Sequence, residues 1–254
     1  MKIYGFRWTV SLILILVGIS CTANLEMRKK QANTSRNLGE AYYRQGNYPE
    51  ALGEFLKSET IYPGDPFLQN DLGLTYMAMK QMDLAVKHFK KAIEIKPDYA
   101  PAMNNLGTAY LNKKEWDNAI RCFKEVTESF LYATPHFPFS NMGWAYYNKK
   151  EYALAEKFYL KALEIDPKFV NALAGLGKTY TAMGRGSEAV ATLEKAVKDY
   201  PQLGQLYLEL GRAYTVSDEY KKALDAYEKA VEFAPGSALA REAETEAQKI
   251  RKFR

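Results

Sequence analysis

The residues that could carry chemistry are few. The string Gly175-Leu176-Gly177-Lys178-Thr179 ends like a phosphate-cradling loop, in which glycine amides wrap phosphate oxygens and a lysine neutralises them. The glycine that such a loop needs at its start falls on Ala172, and no strand precedes the string, so nucleotide binding is not expected. Two histidines, His88 and His136, leave little for metal or general-base chemistry, and two cysteines, Cys21 and Cys122, cannot build a four-ligand zinc site or a disulfide scaffold. No HExxH, CxxC or nucleophile elbow occurs. The sequence therefore predicts no catalytic residue, no metal, no cofactor and no small-molecule substrate. What remains is the chemistry of attachment and of binding.

Attachment is written at the start. Lys2 and Arg7 precede an apolar run from Trp8 to Ile19, too short for a bilayer that needs about 20 residues, which predicts a signal peptide over 1–20. The run ends in Gly18-Ile19-Ser20-Cys21 and resembles the lipobox of bacterial lipoproteins, with Gly18 where those usually carry an aliphatic residue. The resemblance implies that Cys21 is lipidated and becomes the mature N-terminus, that 21–31 is a tether, and that no transmembrane helix is needed. In two-membrane bacteria, Thr22 in place of Asp implies sorting to the outer membrane, facing the periplasm.

Behind that leader the chain repeats itself. Leu-Gly-x-x-Tyr, or Met-Gly-x-x-Tyr in the fourth copy, returns with tyrosines at Tyr42, Tyr76, Tyr110, Tyr146, Tyr180 and Tyr214, spaced 34, 34, 36, 34 and 34 residues. Nine residues after each tyrosine stands an alanine, from Ala51 to Ala223, and four further a large apolar residue: Phe55, Phe89, Phe123, Tyr159, Leu193 and Tyr227. Proline closes five copies, at Pro63, Pro97, Pro167, Pro201 and Pro235. Each copy reads as two helices that cross where Gly and Ala remove bulk, with the tyrosine and the later aromatic filling the space between them. The pattern is that of the tetratricopeptide repeat.

The predicted fold is all-α: an α-solenoid of six such repeats over 32–235, starting near 32, 66, 100, 136, 170 and 204, with one continuous core. Residues 236–254 follow as an amphipathic C-terminal capping helix, its inner side formed by Leu239, Ala243, Ala247, Ile250 and Phe253. The third copy lacks its proline, and Thr134 to Phe139 reads as an extended, aromatic-rich connection that absorbs the two extra residues. Composition agrees with a folded, non-polytopic protein: of 254 residues, 47% are hydrophobic and 26% charged. A net charge of +5 spread over this length gives no footprint for nucleic acid.

Arrays of this family usually hold a protein segment against the first helix of each repeat, on the concave wall. That wall is predicted to carry Leu74, Met77, Asn104, Asn105, Leu111, Phe137, Asn141, Trp144, Tyr147, Lys178 and Arg212 as the partner-binding face. Its middle is apolar and aromatic, suited to an amphipathic stretch, with Arg36, Lys178 and Arg212 placed to orient it from the ends. The carboxylate clamp of chaperone adaptors is absent from its expected positions. A ladder of asparagines just before the packing leucine is partly present at Asn37, Asn105 and Asn141, and is interrupted by Asp71, Gly175 and Glu209.

In order and extent the chain resembles the six-repeat outer-membrane lipoproteins of type IV pilus biogenesis, the pilotin family. The resemblance implies a non-catalytic scaffold that helps a secretin subunit reach the outer membrane and assemble into its ring. Two other readings of the same features are a general periplasmic scaffold in cell-wall or outer-membrane protein assembly, and a secreted regulator with no membrane role. In each the partner is a protein, a secretin subunit or another envelope assembly component.

Overall fold

A computed structural model describes residues 4–128 and 133–252, with side chains described from residue 24 onward. The described residues form helices and no strand. First helices of successive repeats are α1 (Tyr4–Arg44), α3 (Pro66–Ala78), α5 (Ala100–Asn112), α7 (His136–Asn148), α9 (Val170–Ala182) and α11 (Gly204–Val216). Their second helices are α2 (Tyr48–Ile61), α4 (Met82–Ile95), α6 (Trp116–Glu128), α8 (Tyr152–Ile165), α10 (Gly186–Asp199) and α12 (Tyr220–Phe233), and α13 (Ala238–Lys252) follows. No helix among the described residues is long and apolar enough to cross a membrane.

One local device ends the first helix of every repeat. A residue in the left-handed region follows it at Gly46, Lys80, Lys114, Lys150, Gly184 and Asp218, with φ between 59° and 80°. The next backbone N–H then bonds back to the carbonyl of the repeat tyrosine, as from Gln81 to Tyr76 at 2.8 Å and from Arg185 to Tyr180 at 2.9 Å. This is the Schellman closure, which satisfies carbonyls the helix leaves orphaned. Gly46 and Gly184 adopt the conformation at no steric cost, whereas lysine or aspartate there carries roughly 1–2 kcal/mol of strain.

The repeat glycine and the large apolar residue of the second helix meet in van der Waals contact. A Cβ on Gly73 would lie 2.5 Å from the Phe89 ring, one on Gly143 2.8 Å from Tyr159, and one on Gly211 2.5 Å from Tyr227. Phe55, Phe89, Phe123 and Leu193 are buried at 1% exposure or less. The repeat tyrosines do not share that burial. Tyr110, Tyr180 and Tyr214 are buried, but Tyr42, Tyr76 and Tyr146 are only partly so, which corrects the expectation that all six are core residues. Their common role is at the turn, where the backbone carbonyl closes the helix.

The expected single core is described as two compact parts, Met1–Ala109 and Tyr110–Arg254. In the first, Phe55, Leu68 and Leu72 pack with Ala51, and residues 24–31 continue α1 as helix where a tether was expected. Nothing in Asn24 to Gln31 breaks a helix, and Arg28 donates from Nε and an Nη to the Ile61 carbonyl at 3.1 and 2.7 Å. The segment therefore spans about 12 Å instead of the roughly 28 Å of an extended chain.

The first part also buries a polar relay. Gln69, fully buried, gives its amide to Glu59 at 2.8 Å and faces the His88 Nδ1 with its carbonyl at 2.8 Å, so Nδ1 is the protonated nitrogen. Lys91 closes the relay on Glu59 at 2.7 Å, and Tyr76 stacks on the imidazole at 5.2 Å. Burial holds His88 below its ordinary 6.5, with Lys91 and Lys87 acting in the same direction against Glu59. The unfolded chain then binds more protons than the folded one as pH falls below 6.5, so His88 makes the fold lose stability on acidification through that range. Urea melts of wild type and His88→Gln at several pH values should show the steeper acid loss in wild type; equal slopes would reject the role.

In the second part, α13 lays Ala243, Ala247 and Ile250 on the core of the last repeats, capped at its start by the Ser237 hydroxyl, which accepts from the Ala240 N–H at 3.0 Å. Phe253, expected on the same face, lies outside the described residues. The connection around 134–139 differs from its extended expectation, because α7 already begins at His136 and Pro138 sits in its first turn, where no intrahelical N–H is required.

Candidate partner-binding site

Three first helices of the second part turn the same face to one cavity of about 350 Å³. From α7 come Ser140, Asn141, Trp144 and Tyr147; from α9, Asn171, Ala174 and Lys178; from α11, Gln205 and Glu209. These positions recur at the repeat spacing: Asn141, Gly175 and Glu209 are equivalent, as are Trp144, Lys178 and Arg212. Tyr159 of α8 forms the floor, its ring so close to α9 that a Cβ on Gly175 would lie 2.3 Å from it. Glycine at that place is a packing requirement, which explains why the asparagine ladder stops there.

The walls divide by chemistry. Trp144 is 45% exposed, with its ring centroid 6.4 Å from that of Trp116, and offers an open aromatic face. The Lys178 ammonium lies 5.0 Å from the centroid of the Tyr147 ring, a cation–π contact that holds the long side chain across the groove. Burial pushes the Tyr147 phenol above its ordinary range, with Tyr152 and Glu209 adding to it. Arg212 donates to Glu209 Oε1 at 2.9 Å and to Glu242 Oε1 at 2.5 Å.

Several residues predicted for the binding face stand elsewhere. Leu111 is 2% exposed and gives a partner no surface. Phe137 packs with His136 and Phe169, at centroid distances of 4.4 and 5.0 Å, and does not line the cavity. Arg212 is occupied by two carboxylates, so it shapes the site instead of orienting a partner. The structure thus brings together Asn141, Trp144, Tyr147 and Lys178, with Ser140, also expected on this wall, beside them, and adds Glu209, Gln205 and Asn171. The sequence signal for Glu209 was present, since it stands in the ladder register, but its type reads as an interruption.

The first part carries the remaining predicted residues. Leu74 lines a separate cavity of about 360 Å³ with Tyr43, Phe55, Arg36 and Asp71. Arg36, expected to orient a partner, is held by Asp71 at 2.7 Å, Glu40 at 2.8 Å and Asp65 at 3.9 Å. Burial, together with Glu40 and Asp65, pushes the Asp71 carboxyl up to about 6 even with that arginine beside it. Asn105 spends its amide on Asn70 at 2.9 Å, Asn104 keeps a buried carbonyl oxygen without a hydrogen-bond partner, and Met77 is partly buried. Cys21 and the expected signal peptide lie outside the residues with described side chains.

The Lys178-Thr179 string is helical, not a phosphate loop. It lies within α9, and the buried Thr179 hydroxyl donates to the Gly175 carbonyl at 2.7 Å.

Paired antiparallel helices at a fixed period, presenting side chains from one face of consecutive first helices, define an all-α repeat scaffold for binding protein segments. Family models described as tetratricopeptide repeat match residues 25–66, 67–131, 138–169 and 175–238. The chain belongs to the tetratricopeptide-repeat family. Among solved structures it is similar to PilW, a widely conserved type IV pilus biogenesis factor, with a TM-score of 0.76 at 21% identity over 83% of this chain and 96% of that one. It is also similar to PilF of Pseudomonas aeruginosa, with a TM-score of 0.72 at 20% identity over 86% and 99% of the two chains. YrrB, a repeat protein with an unusual peptide-binding site, follows at 0.57 and 19% identity over 75% and 97%. A comparison with curated protein sequences gives no significant match.

Proposed function

We propose that this chain is a non-catalytic scaffold, anchored by a lipid on Cys21 to the periplasmic face of the outer membrane, that assists assembly of a secretin ring for type IV pili. The observation that carries this reading is one of extent. Nearly the whole of the solved PilW and PilF chains is matched by this chain, so those solved chains carry the same run of helical pairs with little added. The aromatic cavity around Trp144 gives such a scaffold a place to hold a protein segment.

Anchoring has its own test. The helical stretch from Asn24 leaves little slack, so a lipid on Cys21 would hold the first repeat close to the membrane surface. Cys21→Ala should leave the protein soluble or unprocessed, and the wild-type N-terminal peptide should carry acyl mass on Cys21. Unchanged membrane fractionation of the variant, with no acyl mass on the wild type, would reject the anchor. Deleting the chain from its host should remove heat-resistant secretin multimers; normal multimer levels would reject the assembly role while leaving the anchor and the groove standing.

A further inference from the structure

Helices α1 and α2 run antiparallel, as do α3 and α4, so the first part of the chain has two ends. The turns at one end, Gln45-Gly46-Asn47 and Lys80-Gln81, are polar. At the other end α2 and α4 finish and α3 and α5 begin, and the residues there include Tyr62, Phe67, Ile95 and Tyr99. Phe67 is 40% exposed and Ile95 38%, and Leu25, on the stretch of α1 that projects from this end, is 41% exposed. The Phe67 and Tyr99 rings meet edge to face at 5.1 Å, which fixes them while much of Phe67 stays open to water. Exposed apolar residues gathered in this way mark a contact surface.

The charges beside them narrow what it touches. The Lys96 ammonium lies 5.6 Å from the Phe67 centroid and 6.0 Å from that of Tyr99, and the Lys29 ammonium lies 5.8 Å from that of Tyr62. Arg28, Lys29, Lys30 and Lys96 stand against Glu26, Asp65, Glu94 and Asp98, with Glu26 paired to Lys29 at 2.9 Å and Asp65 capping α3. The balance favours neither a strongly acidic nor a strongly basic partner. Rings and aliphatic side chains with lysines alongside are instead the makeup of a membrane-interface belt, in which rings sit at headgroup depth and ammonium groups reach for phosphate.

The direction of the leader decides the occupant. Arg28, bonded to the Ile61 carbonyl, marks where α1 passes the end of α2, and Cys21 lies seven residues further along the same helix, about 10 Å away. A chain held by lipid at Cys21 therefore has this end, and not the polar one, beside the headgroups. We propose that this end of the first part rests on a phospholipid bilayer: Leu25, Tyr62, Phe67, Ile95 and Tyr99 enter the headgroup layer and Lys96 reaches its phosphates. The inference rests on the reading of Cys21 as the anchor, and it makes the membrane a surface that orients the first repeats as well as one that retains them.

The test uses the mature protein purified from membranes and reconstituted in vesicles of phosphatidylethanolamine and phosphatidylglycerol. Phe67→Trp, and in a second preparation Tyr62→Trp, places an indole at this end, while Gln81→Trp places one at the other; circular dichroism establishes that each variant is folded. After subtraction of the wild-type signal from Trp116 and Trp144, nitroxide-labelled lipid should quench the indole at 67 or 62 and the bilayer should shield it from acrylamide. The indole at 81 should show the reverse. Adding Lys96→Gln to Phe67→Trp should shift the contact equilibrium about fivefold toward the water-exposed state, the worth of one lysine at an anionic surface. Equal quenching at the two ends, or no quenching by lipid at 67 and 62, would overturn the contact. Shielding from acrylamide that appears only when envelope proteins are added would assign the patch to a protein partner instead. Mass spectrometry of the same preparation separates the two readings: no acyl mass on Cys21 rejects the anchor and this inference with it, whereas acyl mass without quenching rejects this inference alone.

Discussion

Tyr159→Ala should destabilise the second part of the chain by about 3–5 kcal/mol, the range for truncating a buried aromatic. The ring is 3% exposed and held between two glycines: added Cβ atoms would come within 2.8 Å at Gly143 and 2.3 Å at Gly175. Removing it opens a void between α7, α8 and α9 that no neighbour can fill, because glycines have no side chain to move in. Tyr146 is the informative contrast. It is partly buried and stacks on Phe158 at 5.3 Å with the rings 4° apart, so Tyr146→Ala should cost about 0.5–1.5 kcal/mol for the lost pair plus a fraction of the burial. Urea melts followed by circular dichroism separate the two, and equal losses would show that the repeat tyrosine is as much a core residue as the second-helix aromatic.

That contrast marks where the sequence is legible. The period, the helix pairing and the crossing of glycine against a large apolar residue can all be read from spacing, since each is a local relation repeated six times. Burial of the repeat tyrosines cannot, because the regular feature at Tyr42, Tyr76 and Tyr146 is the backbone carbonyl that closes the helix. A fixed residue at a fixed spacing looks the same whether ring or carbonyl does the work. The binding face shows the same divide. Asn141, Trp144, Tyr147 and Lys178 share a cavity because the repeat places them on one side of neighbouring helices. Arg36 and Arg212 each have one carboxylate within four residues, Glu40 and Glu209, but the partners that complete their occupation are remote in the chain, with Asp71 35 residues from Arg36 and Glu242 30 from Arg212. Leu111 looked like a wall residue by register and is buried.

Trp144→Ala together with Tyr147→Ala should cost about 2 kcal/mol or more in partner binding, as aromatic anchors in a desolvated groove do. It should leave the helices intact. Trp144 is about half exposed, and the helix it sits on is fixed from the other side by Met142 and Ala145, both buried. The substitution removes the open aromatic face and, with Tyr147, the ring that holds Lys178 at 5.0 Å. A freed Lys178 then gains mobility in the cavity, so the loss should exceed what the two rings contribute by contact alone. On the proposed lipid-anchored assembly role, the double variant should still fractionate with the outer membrane, since Cys21 is untouched, yet leave the secretin as monomers on a gel that preserves heat-resistant multimers. Wild-type multimer levels would reject this groove as the assembly surface and direct attention to the separate cavity beside Leu74 and Tyr43, where Leu74→Ala with Tyr43→Ala is the matching test. Loss of the double variant from the membrane would instead show that the groove acts before anchoring, in delivery and not in assembly.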